Sequence, residues 1–356
     1  MKDTHFNVLH ICDYAAYYRG NFIDSLESLE KHHSNTKNFY LFPERAANYS
    51  QEWISELNQN QKVAYIQKPT FFGNVFLLMR ILRKHKINRI VRHFSDIRID
   101  FVIKLLFKGK RVVRFFHCGC ESSNSALKEK VRRFIWRKNK LVGVSDAVAK
   151  DIKETYPHFD VYSINNAINF ERLNRVDEFK KARGTALLAF GWDYTIKGTD
   201  LALEAANIVR KKHDITLQIV GGKGEGKIKT YIKEHFGEDT DWIRLLPTTN
   251  NIGTYYKNND IFLSPSRSEA FGYANIEAAY CKNSVVMSRV GGQKDLKIEG
   301  AYWMESNNVQ DLANKIEQAL HELVLPEKKE QKERVKKDVE RTYSLEEWSN
   351  KLTALF

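Results

Sequence analysis

The sequence predicts an α/β protein of two successive doubly wound halves with a cleft between them. Three observations carry that expectation. The chain has 356 residues, too many for one ordinary core and suited to about two domains. Short β-branched or aromatic runs alternate with helix-length stretches, the pattern of a parallel sheet covered on both faces. The rhythm stops at a polar, charged break over residues 170–183 and then starts again.

In the first half, strands are expected at residues 6–11, 38–42, 63–66, 89–93, 111–116 and 141–144, with helices such as 21–31 and 74–85 between them. In the second half, strands are expected at 185–190, 215–220, 242–245, 261–264 and 284–288. Helices over 199–212, 228–235, 269–280 and 309–323 intervene. Residues 326–341 are rich in Lys and Glu and read as a solvated helix. The chain ends in YSLEEWSNKLTALF, a Ser-capped amphipathic helix.

Composition narrows the function. Hydrophobic residues make up 42%, enough for a large core, but no apolar run reaches the roughly 20 residues of a membrane span. The start, MKDTHFNVLHI, lacks the apolar core of a signal peptide, so a cytoplasmic protein is expected. Four cysteines argue against a disulfide framework. His117, Cys118 and Cys120 form H-C-x-C, half a metal site with no second half, or simply loop and buried thiols. The net charge is +13, and residues 80–140 alone hold 19 basic against 4 acidic side chains. So one-sided a charge suits an acidic partner: nucleic acid, anionic headgroups or a phosphorylated substrate.

The chemistry is sought in SEAFGYANIEAAY, residues 268–280. It follows the strand-like IFLSP and opens an apolar-faced helix, whose first N–H groups near Gly272 to Ala274 form an anion site for a phosphate or diphosphate. Glu269 and Glu277 would lie roughly 80° apart around that helix and address different parts of one ligand. The plainer reading is a Glu complementing the helix dipole plus one surface Glu.

The wider stretch SPSRSEAFGYANIEAAYCKNSVVMSRVGG resembles the signature of retaining nucleotide-sugar glycosyltransferases, family 4 of the carbohydrate-enzyme classification. The matching residues are Glu269, Glu277 and Gly291-Gly292. Further similar segments follow the same order: LLAFGWDYTIKGTDLALEAANIV with Gly191, Lys197 and Gly198; ITLQIVGGKGEG with Gly221 and Gly222; LVGVSDAVAKDI with Ser145; and VYSINNAINFERL. The resemblance runs from about Arg111 onward, and the first hundred residues share only the general pattern.

The resemblance implies two Rossmann-like domains facing across a cleft, the GT-B arrangement. Residues 1–168 would bind the acceptor and 169–340 the donor, with a helix over 341–356 packing back towards the first domain. By the same resemblance, Glu277 would hold the ribose hydroxyls, and Glu269 the transferred sugar. Phe271, Gly272, Tyr273 and Ala274 would take the diphosphate, and Lys197 would neutralise it as it leaves. His117 would face the sugar, or else be a structural loop histidine. Gly20 and Gly191 would let backbone approach the donor. No metal and no resident cofactor are expected, because a lysine and a helix dipole supply the positive charge. The donor would be a UDP- or GDP-linked sugar.

The sequence departs from the family where Trp192 replaces an arginine, removing one cation unless Arg19, Arg267 or another residue supplies it. Cys281-Lys282-Asn283-Ser284 stands where Gly and Pro are common, which affects that turn. Asp239-Thr240-Asp241 spells D-x-D but reads as a solvated loop, and Gly221 to Gly224 lacks the full P-loop pattern. Two basic segments with apolar residues, 74–86 and 128–140, suit peripheral contact with the inner face of a membrane, or are packed helices with basic outer faces.

The expected function is transfer of a sugar to a glycan or lipid-linked acceptor in surface polysaccharide synthesis. The alternatives are an epimerase or phosphorylase of the same fold, and a basic nucleic-acid binder. The last is disfavoured because no nucleic-acid-binding motif accompanies the charge.

Overall fold

The computed structural model describes residues 5–16, 19–59, 63–94, 97–106, 111–119, 125–180 and 182–356. It divides into two compact units, Met1–Ile168 with Leu345–Phe356, and Asn169–Ser344. Cys120, one of the residues of H-C-x-C, lies outside the described residues.

The first unit runs β1 (Phe6–Cys12), α1 (Gly20–His32), β2 (Thr36–Phe42), α2 (Ala46–Tyr49), α3 (Gln51–Gln59), β3 (Val63–Ile66), α4 (Phe71–Lys84) and β4 (Arg89–His93). It continues with α5 (Ile97–Leu106), β5 (Arg111–Phe116), α6 (Ala126–Trp136), β6 (Lys140–Gly143), α7 (Asp146–Thr155) and β7 (Val161–Ser163). Seven strands form one parallel sheet in the order β3-β2-β1-β4-β5-β6-β7. Alternating side chains of each strand face opposite layers. Leu9, Ile11, Phe39 and Leu41 pack under Leu78, Ile81 and Leu82 of α4 and Val102 of α5. Fully burying each such side chain stabilises the fold by about 1.5–3 kcal/mol.

The second unit runs β8 (Thr185–Phe190), α8 (Thr199–Val209), β9 (Ile215–Val220), α9 (Glu225–Phe236), β10 (Ile243–Leu246), α10 (Gly253–Lys257) and β11 (Ile261–Ser264). It continues with α11 (Tyr273–Tyr280), β12 (Ser284–Ser288), β13 (Tyr302–Met304), α12 (Val309–Glu322) and α13 (Pro326–Thr342). Its six strands are parallel, in the order β10-β9-β8-β11-β12-β13. The last helix, α14 (Leu345–Thr353), belongs to the first unit. There it lies on α1, and Trp348 packs on Phe115. The chain end is tied down where Arg89 donates to the Phe356 carbonyl at 3.1 Å and Lys140 to that of Leu355 at 2.7 Å.

Several expectations are corrected. The helix expected over 269–280 begins only at Tyr273, because Gly272 stands in the left-handed region (φ 99°). Glu269 is therefore in the loop before the helix, and the roughly 80° separation around one helix does not apply. The helix expected from residue 74 starts at Phe71, where Thr70 Oγ1 caps it by accepting from Gly73 N at 3.1 Å. The basic helix expected over 128–140 is α6, which starts after its Ser125 cap and stops at Trp136. The Lys/Glu-rich α13 is not simply solvated, since Val335 and Val339 are buried and the helix packs on α11. Two cations of the basic belt are also internal. Arg92 (2.9 Å) and Arg114 (2.6 Å) both pair with buried Asp100. Burial alone would raise the Asp100 carboxyl, but Arg114 and Arg92 hold it below its ordinary range.

Candidate active site

In an open parallel sheet, ligands bind beyond the carboxyl ends of the strands where the strand order reverses. In the second unit that point lies between the neighbouring strands β8 and β11. The loop after β8 carries Trp192 to Lys197, and the loop after β11 carries Pro265 to Gly272. The two loops are bound together. Arg267 N–H donates to the Ile196 carbonyl at 2.8 Å, and its guanidinium reaches the Thr195 carbonyl at 2.9 Å, both oxygens of Asp200 (2.8 and 2.6 Å) and Asn307 Oδ1 at 2.7 Å.

Close backbone approach completes the clamp. Gly198 has φ 63°, and a Cβ there would stand 2.2 Å from the Pro265 carbonyl oxygen. Gly291 has φ 46°, and a Cβ there would stand 2.0 Å from the Glu269 carbonyl oxygen, which accepts from Gly292 N–H at 2.8 Å. The Lys-Gly and Gly-Gly pairs of the sequence thus hold Lys197 and Glu269 by their backbones. As a result, Lys197 Nζ lies 2.6 Å from Glu269 Oε2, with both side chains largely buried.

Glu277 sits on the first turns of α11, buried, and its Oε2 accepts from the Tyr256 hydroxyl at 3.0 Å. Burial, and then the neighbouring Glu277 carboxylate, push the Tyr256 hydroxyl well above its ordinary pKa. Phe271 is buried against Tyr273 and Tyr343, while Tyr273 and Ala274 are half-buried at the start of α11. Asn275, in the same first turn, is buried, and neither side-chain polar atom finds a protein partner. Gly191 directly follows β8, and a Cβ there would meet Ile228 Cδ1 at 2.6 Å. Neither cation proposed to replace the missing arginine is free: Arg267 is the loop clamp, and Arg19 pairs with Asp24 at 2.6 Å and with Glu27. Asp239 of D-x-D is held by Arg210 at 3.2 Å.

His117 and Gly20 belong to the first unit. Gly20 begins α1 with φ 64°. His117 follows β5 and is half-buried, and its Nε2 lies 3.3 Å from Nδ1 of His93. His93 in turn stacks on His10, with ring centroids 5.7 Å apart. Burial pushes the His117 imidazole down to about 3 and that of His10 to about 4. His93 is lowered by burial and then by its histidine neighbours, so the row is neutral at pH 7. Among the described residues, no group of three or more His, Cys, Asp and Glu could hold a metal ion.

Tyr256, Asp200 and the role of Arg267 were not expected from the sequence. Tyr256 lies 21 positions from Glu277, and Asp200 lies 67 from Arg267, so no local spacing joins them.

Residues 174–338 match the model of the family described as glycosyl transferases group 1. An uncharacterized glycosyltransferase of Haemophilus influenzae is 22% identical over 70% of this chain and 72% of its own length. A glycosyltransferase from Rickettsia africae superposes with TM-score 0.81 over 99% of this chain and 97% of that one, at 17% identity. Anabaena Alr3699/HepE, solved with UDP and glucose, superposes with TM-score 0.74 over 98% of this chain and 99% of that one, at 13% identity. The fold is of the GT-B type. Together with the group 1 match, it supports a glycosyltransferase.

Proposed function

We propose that the protein is a retaining, metal-independent glycosyltransferase. It would move a hexosyl group from a UDP- or GDP-linked sugar to a glycan or lipid-linked acceptor in surface polysaccharide synthesis, at the inner face of a membrane. One observation carries the reading: Lys197 and Glu269, from loops after neighbouring central strands, meet at 2.6 Å where such a sheet binds its ligand. The UDP and glucose held by a neighbour of the same fold support a uridine donor.

In this reading Glu277 holds the ribose, the start of α11 from Phe271 to Ala274 receives the diphosphate, and Glu269 holds sugar hydroxyls. The bond between the anomeric carbon and the diphosphate oxygen breaks as the acceptor oxygen bonds the same face of that carbon. The acceptor's proton passes to a phosphate oxygen of the leaving diphosphate, whose charge Lys197 offsets. His117, neutral, is the first unit's candidate for a sugar contact by the resemblance alone. No protein nucleophile is called for.

The test is a thermal-shift screen of nucleotide sugars, because a bound donor raises stability by mass action. Turnover of the strongest stabiliser by Lys197→Ala and Glu269→Ala variants comes next. Loss of one charge contact to the leaving group is expected to cut turnover about 10²–10³-fold. Near-normal turnover by both folded variants would refute the assignment, and isomerisation of the sugar without any acceptor would make the protein an epimerase.

A further inference from the structure

We propose that the helical layer α4–α5–α6 of the first unit seats the protein on an anionic lipid bilayer, with Phe72 and Phe76 as its inserted side chains. The proposal rests on the lipid-linked acceptor reading for its purpose, but not for its geometry. α4 packs on α5, and α5 on α6.

The first support is where apolar surface is exposed. Every exposed Phe among the described residues lies on these three helices: Phe71, Phe72 and Phe76 on α4, Phe101 on α5, and Phe134 on α6. Phe72 is 72% exposed, Phe76 is 70% exposed, and Leu127 of α6 is 71% exposed. Single exposed hydrophobics are ordinary, but a cluster confined to adjoining helices marks an interaction surface.

The second support is charge. On α4, Phe72, Phe76, Arg80 and Arg83 recur at helical spacing, so one exposed stripe is aromatic in its first half and cationic in its second. Phe76 and Arg80 border an open groove of about 460 Å³ together with Lys68. On α6, Leu127, Val131 and Phe134 form a similar stripe, flanked by Lys130, Arg137 and Lys138. The three helices carry only two acidic residues, and neither is available: Asp100 is buried between Arg92 and Arg114, and Glu129 pairs with Arg132 and Arg133. Unopposed cations around exposed aromatics match the interfacial zone of an anionic membrane, where Phe enters the acyl boundary and Lys and Arg meet phosphates. A membrane-spanning role is not part of the proposal, because no described helix is long and apolar enough to cross a bilayer.

The test is co-sedimentation of the full chain with phosphatidylcholine vesicles, with and without phosphatidylglycerol, at low and high salt. Binding is expected only with the anionic lipid, weakened by salt. The paired change Phe72→Ser with Phe76→Ser is expected to weaken it about tenfold or more, with thermal stability unchanged because both side chains already face solvent. Arg80→Gln and Arg83→Gln are each expected to weaken it about fivefold. Absence of binding to anionic vesicles, or wild-type binding by the paired Phe variant, would overturn the proposal. So would a dimer in sedimentation equilibrium that the paired Phe variant dissociates, which would give the patch to a second copy of the chain. Nucleotide-sugar stabilisation of the same preparations needs no lipid, so failure of either reading leaves the other standing.

Discussion

Gly198→Ala separates the packing that places Lys197 from the chemistry proposed for it. The added Cβ would stand 2.2 Å from the Pro265 carbonyl oxygen, and φ is 63°. A left-handed conformation costs an L-residue about 1–2 kcal/mol. Relief of the clash asks for a shift of about 1 Å, since unstrained carbon–oxygen contacts lie near 3.3 Å. The loop cannot make that shift without stretching the Arg267 bonds to Ile196 and Thr195, at 2.8 and 2.9 Å. The combined cost is about 2–4 kcal/mol, or roughly 5–15 °C in melting temperature for a unit of this size. The same shift breaks the 2.6 Å Lys197–Glu269 contact, and a 1 Å misplacement costs about 10²-fold in turnover. The control is Gly226→Ala, in the first turn of α9, where a Cβ meets nothing within 4 Å and stability should hold or rise slightly. Differential scanning fluorimetry and donor turnover read both effects. A Gly198→Ala protein that melts within about a degree of wild type and turns over normally refutes the reasoning.

Two further outcomes are expected. Tyr256→Phe removes a hydrogen bond to the Glu277 carboxylate and should destabilise by about 1.5–3 kcal/mol. Because Glu277 is assigned to binding and not to bond breaking, KM for the donor should rise while kcat holds, and a fall in kcat with KM unchanged would remove that assignment. The buried histidines give the first unit an acid sensitivity of definite sign. An unfolded His binds a proton near pH 6.5, while folded His10 resists until about 4, so stability is full above pH 7 and is lost as pH falls. For His10 alone the loss by pH 5 is about 2 kcal/mol. Urea midpoints of wild type and His10→Gln between pH 7 and pH 5 should therefore converge, and parallel curves would count against it.

What the sequence revealed follows from the range of each signal. Apolar runs bounded by turn residues located β8, β9, β11 and β12 to the residue. β7 and β13, three residues each, are too short to show any period. α5 was not anticipated, because IRIDFVIKLL is mostly apolar and its three charges, Arg98, Asp100 and Lys104, mark no clear face; Asp100 turns out to hold a buried ion cluster. Both glutamates of the site were visible by spacing along the chain, whereas Lys197 and the paired glycines were assigned only through the family resemblance. Their neighbours were not. The Tyr256 hydroxyl and the Asp200 carboxylate reach the site only through tertiary packing, which no periodicity encodes.

The placement of charge also bears on the substitution at Trp192. The indole is exposed beside the turn at Gly222, carries no charge, and stands where the family resemblance implies a second cation. Arg267, one of the two replacements named above, is spent on Asp200, whose hydrogen bonds hold its guanidinium more firmly charged than usual. Of the residues assigned to the site, Lys197 is the cation, and it pairs with Glu269 at 2.6 Å. In the proposed reaction the donor diphosphate therefore competes with Glu269 for one ammonium. Two negative groups sharing one lysine disfavour the bound diphosphate less once the sugar hydroxyls occupy Glu269, because a hydrogen-bonded carboxylate no longer depends on the ion pair. An intact nucleotide sugar supplies both the diphosphate and those hydroxyls, whereas the free nucleoside diphosphate supplies only the first. In the proposed reaction, a lysine shared in this way would favour the complete donor over its own product.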